Sequence, residues 1–159
     1  MVSAEVMIKC GFITDVPRRP HFDSIVYIDV LEHIKDDKAE IEEAAGRLRV
    51  GGTLIVLSPA YNWLFTPFDE AIGHYRRYSA KDLRALTTPM LEVIATRHLD
   101  SVGTLASLCN KLLLSSKMPT RAQILFWDRV LVPISRVVDP LLAFRFGKSI
   151  MVVWRRHSH

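Results

Sequence analysis

The stretch from Phe22 to Pro59 constrains the fold more than any other part of the chain, because it reads as strand, helix and strand with little connecting sequence. Phe22–Val30 (FDSIVYIDV) is a β-branched and aromatic run of the kind found in a sheet covered on both faces. Asp36 and Asp37 offer an N-cap and first-turn negative charge. Ile41, Ala44, Ala45 and Leu48 then fall on one helical face, and Gly51-Gly52 is expected to stop the helix. Thr53–Leu57 (TLIVL) predicts the next strand, closed by Ser58-Pro59. A strand–helix–strand unit this short implies a parallel pair, so the chain is expected to be α/β.

The alternation continues on both sides. Glu5–Ile13 (EVMIKCGFI) reads as a strand ahead of a loop with Pro17 and Pro20. Residues 59–78 form a loop too aromatic for a linker, with Tyr61, Trp63, Phe65, Phe68, His74, Tyr75 and Tyr78. Ser79 and Asp82 have capping-box spacing and open a short helix that ends near Pro89. Leu91–Leu99 reads as a strand, and Val102–Ser116 as a helix broken by Pro119. Thr120 and Gln123 form a second capping box, starting a helix whose apolar face includes Ile124, Trp127, Leu131 and Ile134. Pro133 is expected to kink or end that helix. Ser149–Trp154 (SIMVVW) is the last strand, and no linker divides the chain.

Composition narrows the class. A chain of 159 residues fits one core, and 49% apolar with 24% charged residues excludes a disordered protein. The absence of a repeat excludes a solenoid. Cys10 and Cys109, with no CxxC pair, give neither a disulfide framework nor a zinc signature, and they read as small apolar residues in a reducing compartment. The N-terminus shows no basic leader before an apolar stretch. Val50–Phe68, the longest uncharged run, is interrupted by Gly51, Gly52, Pro59, Asn62 and Pro67. The expectation is a cytoplasmic chain without a transmembrane segment. Residues 1–75 hold 7 Lys/Arg against 12 Asp/Glu, whereas residues 76–159 hold 14 against 5. A basic half of this kind favours phosphate, nucleic acid or anionic lipid, or is simply a solvated face. Nucleic acid is not favoured, because the basic residues are not interleaved with aromatics.

FDSIVYIDVLEHIKDD, the helix ending LRVGG, and TLIVLSP together resemble the class I S-adenosylmethionine-dependent methyltransferases. In that family the first block is the fourth strand with its catalytic turn, and the second is the crossover into the fifth strand. FTPFDEAIGHYRRYSAKDL is similar to the lid segment of one subgroup, whose members carry a GH-x-RRY run before a helix. The tail from LDSVGTLASLCNKLLL to GKSIMVVWRR is similar as well, so the resemblance covers nearly the whole chain. It implies a partial Rossmann-like sheet, with equivalents of strands 3-4-5-6-7 and flanking helices. The family's glycine-rich turn (E/D-x-G-x-G-x-G) lets backbone approach the cofactor's methionine part, yet no GxGxG occurs here. The expectation is therefore a single truncated domain over residues 1–159, the C-terminal portion of the enzyme fold. In the family order 3-2-1-4-5-7-6, FDSIVYIDV would pair with strand one. Its free flank is expected to invite a partner chain or a second copy.

The resemblance assigns site residues. Gly11, Phe12 and Ile13 stand where the third strand brackets the adenine of S-adenosylmethionine, and Phe12 either stacks on that ring or belongs to the core. Asp29, Val30 and Leu31 border the cofactor's methionine end and the transferred methyl. Asp29, Glu32 and His33 are also similar to the divalent-metal site of some O-methyltransferases and RNA-end methyltransferases. The alternative is that Glu32 and His33 cap the next helix, and no metal is assigned. His33 and His74 are candidates to take a proton from the acceptor. Arg76 and Arg77 either clamp an anionic substrate, or Arg77 and Tyr78 pin the lid to Asp69 or Glu70. Leu105–Phe144 is apolar, with Arg121, Arg129 and Arg136 on another face; it covers the sheet, or it admits an apolar substrate or a membrane.

The function so implied is methyl transfer from S-adenosylmethionine to a small or lipid-linked acceptor, by in-line displacement with the nucleophile positioned by the lid. The rival, favoured by the missing glycine turn, is a non-catalytic methyltransferase-like module that cannot bind cofactor alone and acts through its open sheet edge.

Overall fold

A computed structural model describes residues 8, 10–19, 22–113 and 120–158. Among the described residues four strands form one sheet: β1 (Phe22–Ile28), β2 (Leu48–Pro59), β3 (Leu91–Leu99) and β4 (Ser149–Arg156), in the order β1-β2-β4-β3. The β1–β2 pair is parallel and the other two pairings are antiparallel. The predicted strand–helix–strand unit is present, with α1 (Asp37–Arg47) as its crossover and the Asp36 carboxylate accepting from the Ala39 N–H at 3.1 Å.

Gly51-Gly52 does not stop α1, which already ends at Arg47; β2 begins at Leu48 and runs through both glycines. Gly51 sits at φ 81°, and a Cβ on Gly52 would lie 2.8 Å from the Arg49 carbonyl oxygen and 3.1 Å from that of Asp23. The pair is needed where β2 swings against β1, at the register shift between Phe22 and Ser24.

The predicted strand Glu5–Ile13 falls largely outside the described residues, which omit 1–7 and 9. Its described end is not a strand. Gly11 lies in a bend and Ile13–Asp15 forms a 3-10 turn, because the Asp15 carboxylate turns back to accept from the Phe12 N–H at 2.8 Å. The described sheet thus has four strands where the resemblance implied five.

One sheet face carries the core. Tyr27, Leu54, Val56, Ile150, Val152 and Trp154 alternate along their strands and pack against Leu31, Ile41, Ala44 and Leu83. The last of these comes from α3 (Ala80–Ala85), opened by the Ser79–Asp82 capping box. The expectation of cover on both faces fails at β1. Val26 and Ile28 are 50% and 59% exposed, and Phe22 is exposed on the same side, because no described helix lies over it.

The C-terminal helices form a cap. It begins with α4 (Ser101–Leu113) and continues through α5 (Arg121–Phe126), a π-helical turn (Trp127–Leu131) and α6 (Val132–Leu141). Residues 114–119 lie outside the described set, so the expected end of the first helix at Pro119 does too. Pro133 does not end the second helix: it enters α6 directly after the π turn, where the wider hydrogen-bond spacing accommodates its missing N–H. The cap is tied to the sheet through two carboxylates. Asp139 accepts from the N–H groups of Asp100 and Ser101 at 2.8 and 2.9 Å. Asp100 accepts from Ser135 Oγ at 2.6 Å and Trp127 Nε1 at 2.9 Å, with Lys148 Nζ 3.6 Å away. No described helix is long and apolar enough to cross a membrane.

Candidate active site

The site grows from the carboxyl end of β1, where open α/β sheets bind their ligands. Asp29 adopts φ 51°, a left-handed conformation that a short polar side chain tolerates, while its N–H donates to the Leu57 carbonyl at 2.9 Å. The chain therefore reverses at once into a 3-10 turn, Leu31–His33. Leu31 and Glu32 point inward and His33 outward. Asp29, Val30 and His33 share an open cleft of about 640 Å³ with Gly11, Phe12 and Ile13. Two segments far apart in sequence, both singled out for the cofactor, thus meet in one place. Leu31 is fully buried beneath the cleft, in the core. Phe12 is not core: it is 79% exposed.

The lid covers the other side of the turn. Thr66, ahead of α2 (Pro67–Ala71), forms a capping box with Asp69. Asp69 is 1% exposed and is ringed by donors: Thr66 Oγ1 at 2.8 Å, Arg77 Nε at 2.8 Å and Nη2 at 2.9 Å, and His74 Nδ1 at 3.0 Å. Burial pushes the Asp69 carboxyl up, but Arg77 and Thr66 outweigh it and hold the group below the usual carboxylate range. Arg77 therefore pins the lid to Asp69. Arg76 pairs with Asp37 Oδ2 at 2.8 Å and donates to the Lys35 carbonyl at 2.7 Å. Tyr78 O–H donates to Asp37 Oδ2 at 2.8 Å. Both arginines are thus engaged within the chain.

His74 lies beside His33, with ring centroids 4.6 Å apart in an edge arrangement, and its Nε2 is 3.8 Å from Glu32 Oε1. Ser58 Oγ donates to Glu32 Oε2 at 3.0 Å, while Oε1 has no hydrogen-bond partner among the described residues. Burial raises the Glu32 pKa above its ordinary value, against the opposing pull of its backbone and Ser58 hydrogen bonds. Glu32 does not cap α1, a place taken by Asp36. Its role in joining turn, strand and lid has no sequence signal beyond its place in the Glu-His pair, and Ser58 reads in the sequence only as the close of a strand. A recess of about 420 Å³ lies on the lid side, lined by Phe65, Glu70, Gly73, His74 and Tyr75.

No protein-family model and no curated protein matches the chain. Solved structures do. The methyltransferase in a complex with the Haloferax volcanii Trm112 methyltransferase activator matches with a TM-score of 0.57 at 19% identity, over 94% of this chain and 60% of that one. A Galdieria sulphuraria protein described as a sarcosine dimethylglycine methyltransferase matches with a TM-score of 0.56 at 16% identity, over 95% and 59%. An S-adenosylmethionine-dependent methyltransferase from Clostridium acetobutylicum matches with a TM-score of 0.52 at 12% identity, over 94% and 64%. The fold is that of the class I S-adenosylmethionine-dependent methyltransferases, as the Phe22–Pro59 resemblance implied. The chain spans about 60% of the length of the first of these structures, and its described strand order β1-β2-β4-β3 is the one the resemblance implied for strands 4-5-7-6.

Proposed function

We propose that this chain is the acceptor-side portion of an S-adenosylmethionine-dependent methyltransferase. The observation that carries the reading is the cleft joining Gly11, Phe12 and Ile13 to Asp29, Val30 and His33 at the carboxyl end of a parallel strand. The residues present fit one wall of a cofactor site. Phe12 offers a free aromatic face to a purine, and the Asp29–Leu31 turn stands at the strand end. In this fold a glycine-rich turn donates to the cofactor's carboxylate and an acid accepts from its ribose hydroxyls, and this sequence has no such turn. S-adenosylmethionine, when bound, supplies a methyl group activated on a sulfonium.

The chain's own residues do the rest. Asp69 and Gly73 fix His74 and His33 with each Nδ1 engaged, so Nε2 is the nitrogen left to take the proton that an acceptor loses. Arg76 and Arg77 hold the lid in register by their pairs with Asp37 and Asp69. The lid-side recess receives the acceptor, a small or lipid-linked molecule. Leu105, Phe126, Val137 and Leu141, all exposed on the helical cap, support the lipid-linked form.

Among the described residues no strand pairs with the outer edge of β1, and this edge, with exposed Val26 and Ile28, supports a second reading: a partner polypeptide docks there and brings the glycine-rich turn, and the chain alone is an interaction module. The solved Haloferax volcanii relative is itself seen with a protein partner. Calorimetric titration of the 159-residue chain with S-adenosylhomocysteine, beside light scattering, separates the two. Micromolar binding supports the catalytic reading, with a dimer mass meaning that a second copy completes the cleft. No binding up to millimolar ligand overturns catalysis by the chain alone and leaves the interaction module.

A further inference from the structure

We propose that the helical cap is an interfacial docking surface whose occupant is the headgroup layer of an anionic lipid bilayer. α6 is turned inside out relative to a helix that lies against water. Ser135 and Asp139 face inward, where Ser135 Oγ donates to Asp100 at 2.6 Å and Asp139 accepts from the N–H groups of Asp100 and Ser101. Val130 from the π turn and Ile134, Val137 and Leu141 from α6 follow one another at helical spacing and run as a stripe along the opposite side. All four are exposed, Val137 to 67% and Leu141 to 80%. A helix on a wet surface presents its polar side outward, so the medium that suits this stripe is apolar.

Charge selects a bilayer from the apolar occupants. Arg121, Arg129, Arg136 and Arg145 are exposed, and none of them has an ion pair among the described residues. Across residues 120–146 the acids are Asp128, which is exposed, and the buried Asp139. Arg129 and Arg136 each precede a stripe residue, so their stems can lie along the apolar surface while the guanidinium groups reach lipid phosphates. A second copy docked through the same face about a two-fold axis would set these arginines against one another. A layer of anionic headgroups complements them. A helix of about 15 Å lying flat immerses its stripe to a depth of roughly 5–10 Å. Docking of this kind needs no helix long enough to cross the membrane.

The cap also stands at the functional edge of the sheet. β3 runs antiparallel to β4, and β4 antiparallel to β2, so β3 has its carboxyl end at the same edge as β1. The cap leaves β3 there, at Ser101, and the cleft opens there, at Asp29. A chain docked by its cap holds this edge nearer the bilayer than the amino edge. The inference goes beyond the methyl-transfer reading and does not rest on it, because it needs neither cofactor nor acceptor.

The test is co-sedimentation of the 159-residue chain with vesicles of phosphatidylcholine and phosphatidylserine, and with vesicles of phosphatidylcholine alone. The chain is expected to bind the mixed vesicles at least about tenfold more tightly, and to release as salt is raised. Val137→Gln with Leu141→Gln removes apolar surface without altering charge. It should weaken binding at least about tenfold and leave the urea midpoint in place, because both side chains are exposed. Arg129→Gln with Arg136→Gln should lower the preference for phosphatidylserine at least about tenfold. Val50→Gln, at a similarly exposed apolar position near the amino end of β2, should change nothing. The proposal is overturned if the chain pellets with neither vesicle, if either double variant binds as wild type does, or if Val50→Gln weakens binding equally. It is also overturned if the vesicle-free chain is a dimer by light scattering that Val137→Gln with Leu141→Gln splits, because the stripe then belongs to a second copy. No cofactor enters the experiment, so its failure and a failure of the methyltransferase reading are separate results.

Discussion

Arg77 grips Asp69 with two parallel hydrogen bonds, Nε to Oδ1 at 2.8 Å and Nη2 to Oδ2 at 2.9 Å. Asp69 is buried, so losing its partner would strand a charge. Arg77→Met is expected to cost about 3–5 kcal/mol, read as a lowered urea midpoint. Adding Asp69→Asn to that variant should restore part of the loss, because no unpaired charge then remains. Equal midpoints for wild type and Arg77→Met would show that the pair does not hold the lid.

Tyr78 ties the end of the lid to the start of α1, donating to Asp37 Oδ2 at 2.8 Å with the Leu31 carbonyl oxygen at 3.2 Å. Burial and the neighbouring Asp37 hold the Tyr78 phenol neutral across the physiological range. Tyr78→Phe keeps the ring and removes the hydroxyl, at an expected cost of about 1–2 kcal/mol. Amide exchange at residues 74–78 should quicken in parallel. Unchanged exchange would place the lid's anchorage at Arg77 alone.

His98 provides the pH response. Its ring stacks on Tyr61 with centroids 5.5 Å apart, and burial depresses its pKa below the ordinary 6.5, only partly offset by the Phe144 carbonyl. The unfolded chain therefore binds this proton more readily than the folded one. The contribution is fully present above about pH 6.5, shrinks as the pH falls through that value, and levels off beneath the folded pKa. His98→Gln should flatten this part of the midpoint-against-pH curve between about pH 7 and 5. A slope unaltered by the substitution would assign the response to another group.

The open side of β1 gives a solution prediction. Val26→Lys or Ile28→Lys places a charge on an exposed strand position and removes little buried surface. The thermal midpoint should stay within a degree or two of wild type, while self-association seen by light scattering should fall. A large drop in midpoint would mean that this face is already packed in solution.

The parts of the molecule legible in the sequence are those governed by local rules. The β1–α1–β2 unit announces itself through alternation, the Asp36 cap and a helical apolar face, and the Ser79 and Thr120 caps form where their spacing places them. Where a rule depends on distant packing, the reading goes astray. Gly51-Gly52 looks like a helix stop because a close approach to the Phe22 and Asp23 backbone cannot be seen from composition. The π turn ahead of Pro133 likewise has no local signature. In the site, the resemblance names Gly11–Ile13 and Asp29–Leu31 for the cofactor, and of these Gly11, Phe12, Ile13, Asp29 and Val30 line one cleft while Leu31 lies in the core; the sequence leaves the Arg77–Asp69 pin as one of two alternatives. The meeting of His74 with Glu32 and His33 spans about 40 residues of chain. It depends on how the lid folds back, through the Tyr75 N–H bonded to the Glu32 carbonyl at 2.8 Å.

The attachment of the helical cap through Asp100 and Asp139 has a mechanical consequence. Apolar layers slide over one another at small cost, whereas directional hydrogen bonds resist shear and fail together. A cap fastened at one polar corner behaves as a flap on a latch. Its helices should open to solvent as one unit, with residues 101–113 and 121–141 sharing a single exchange rate, while the sheet beneath keeps its protection.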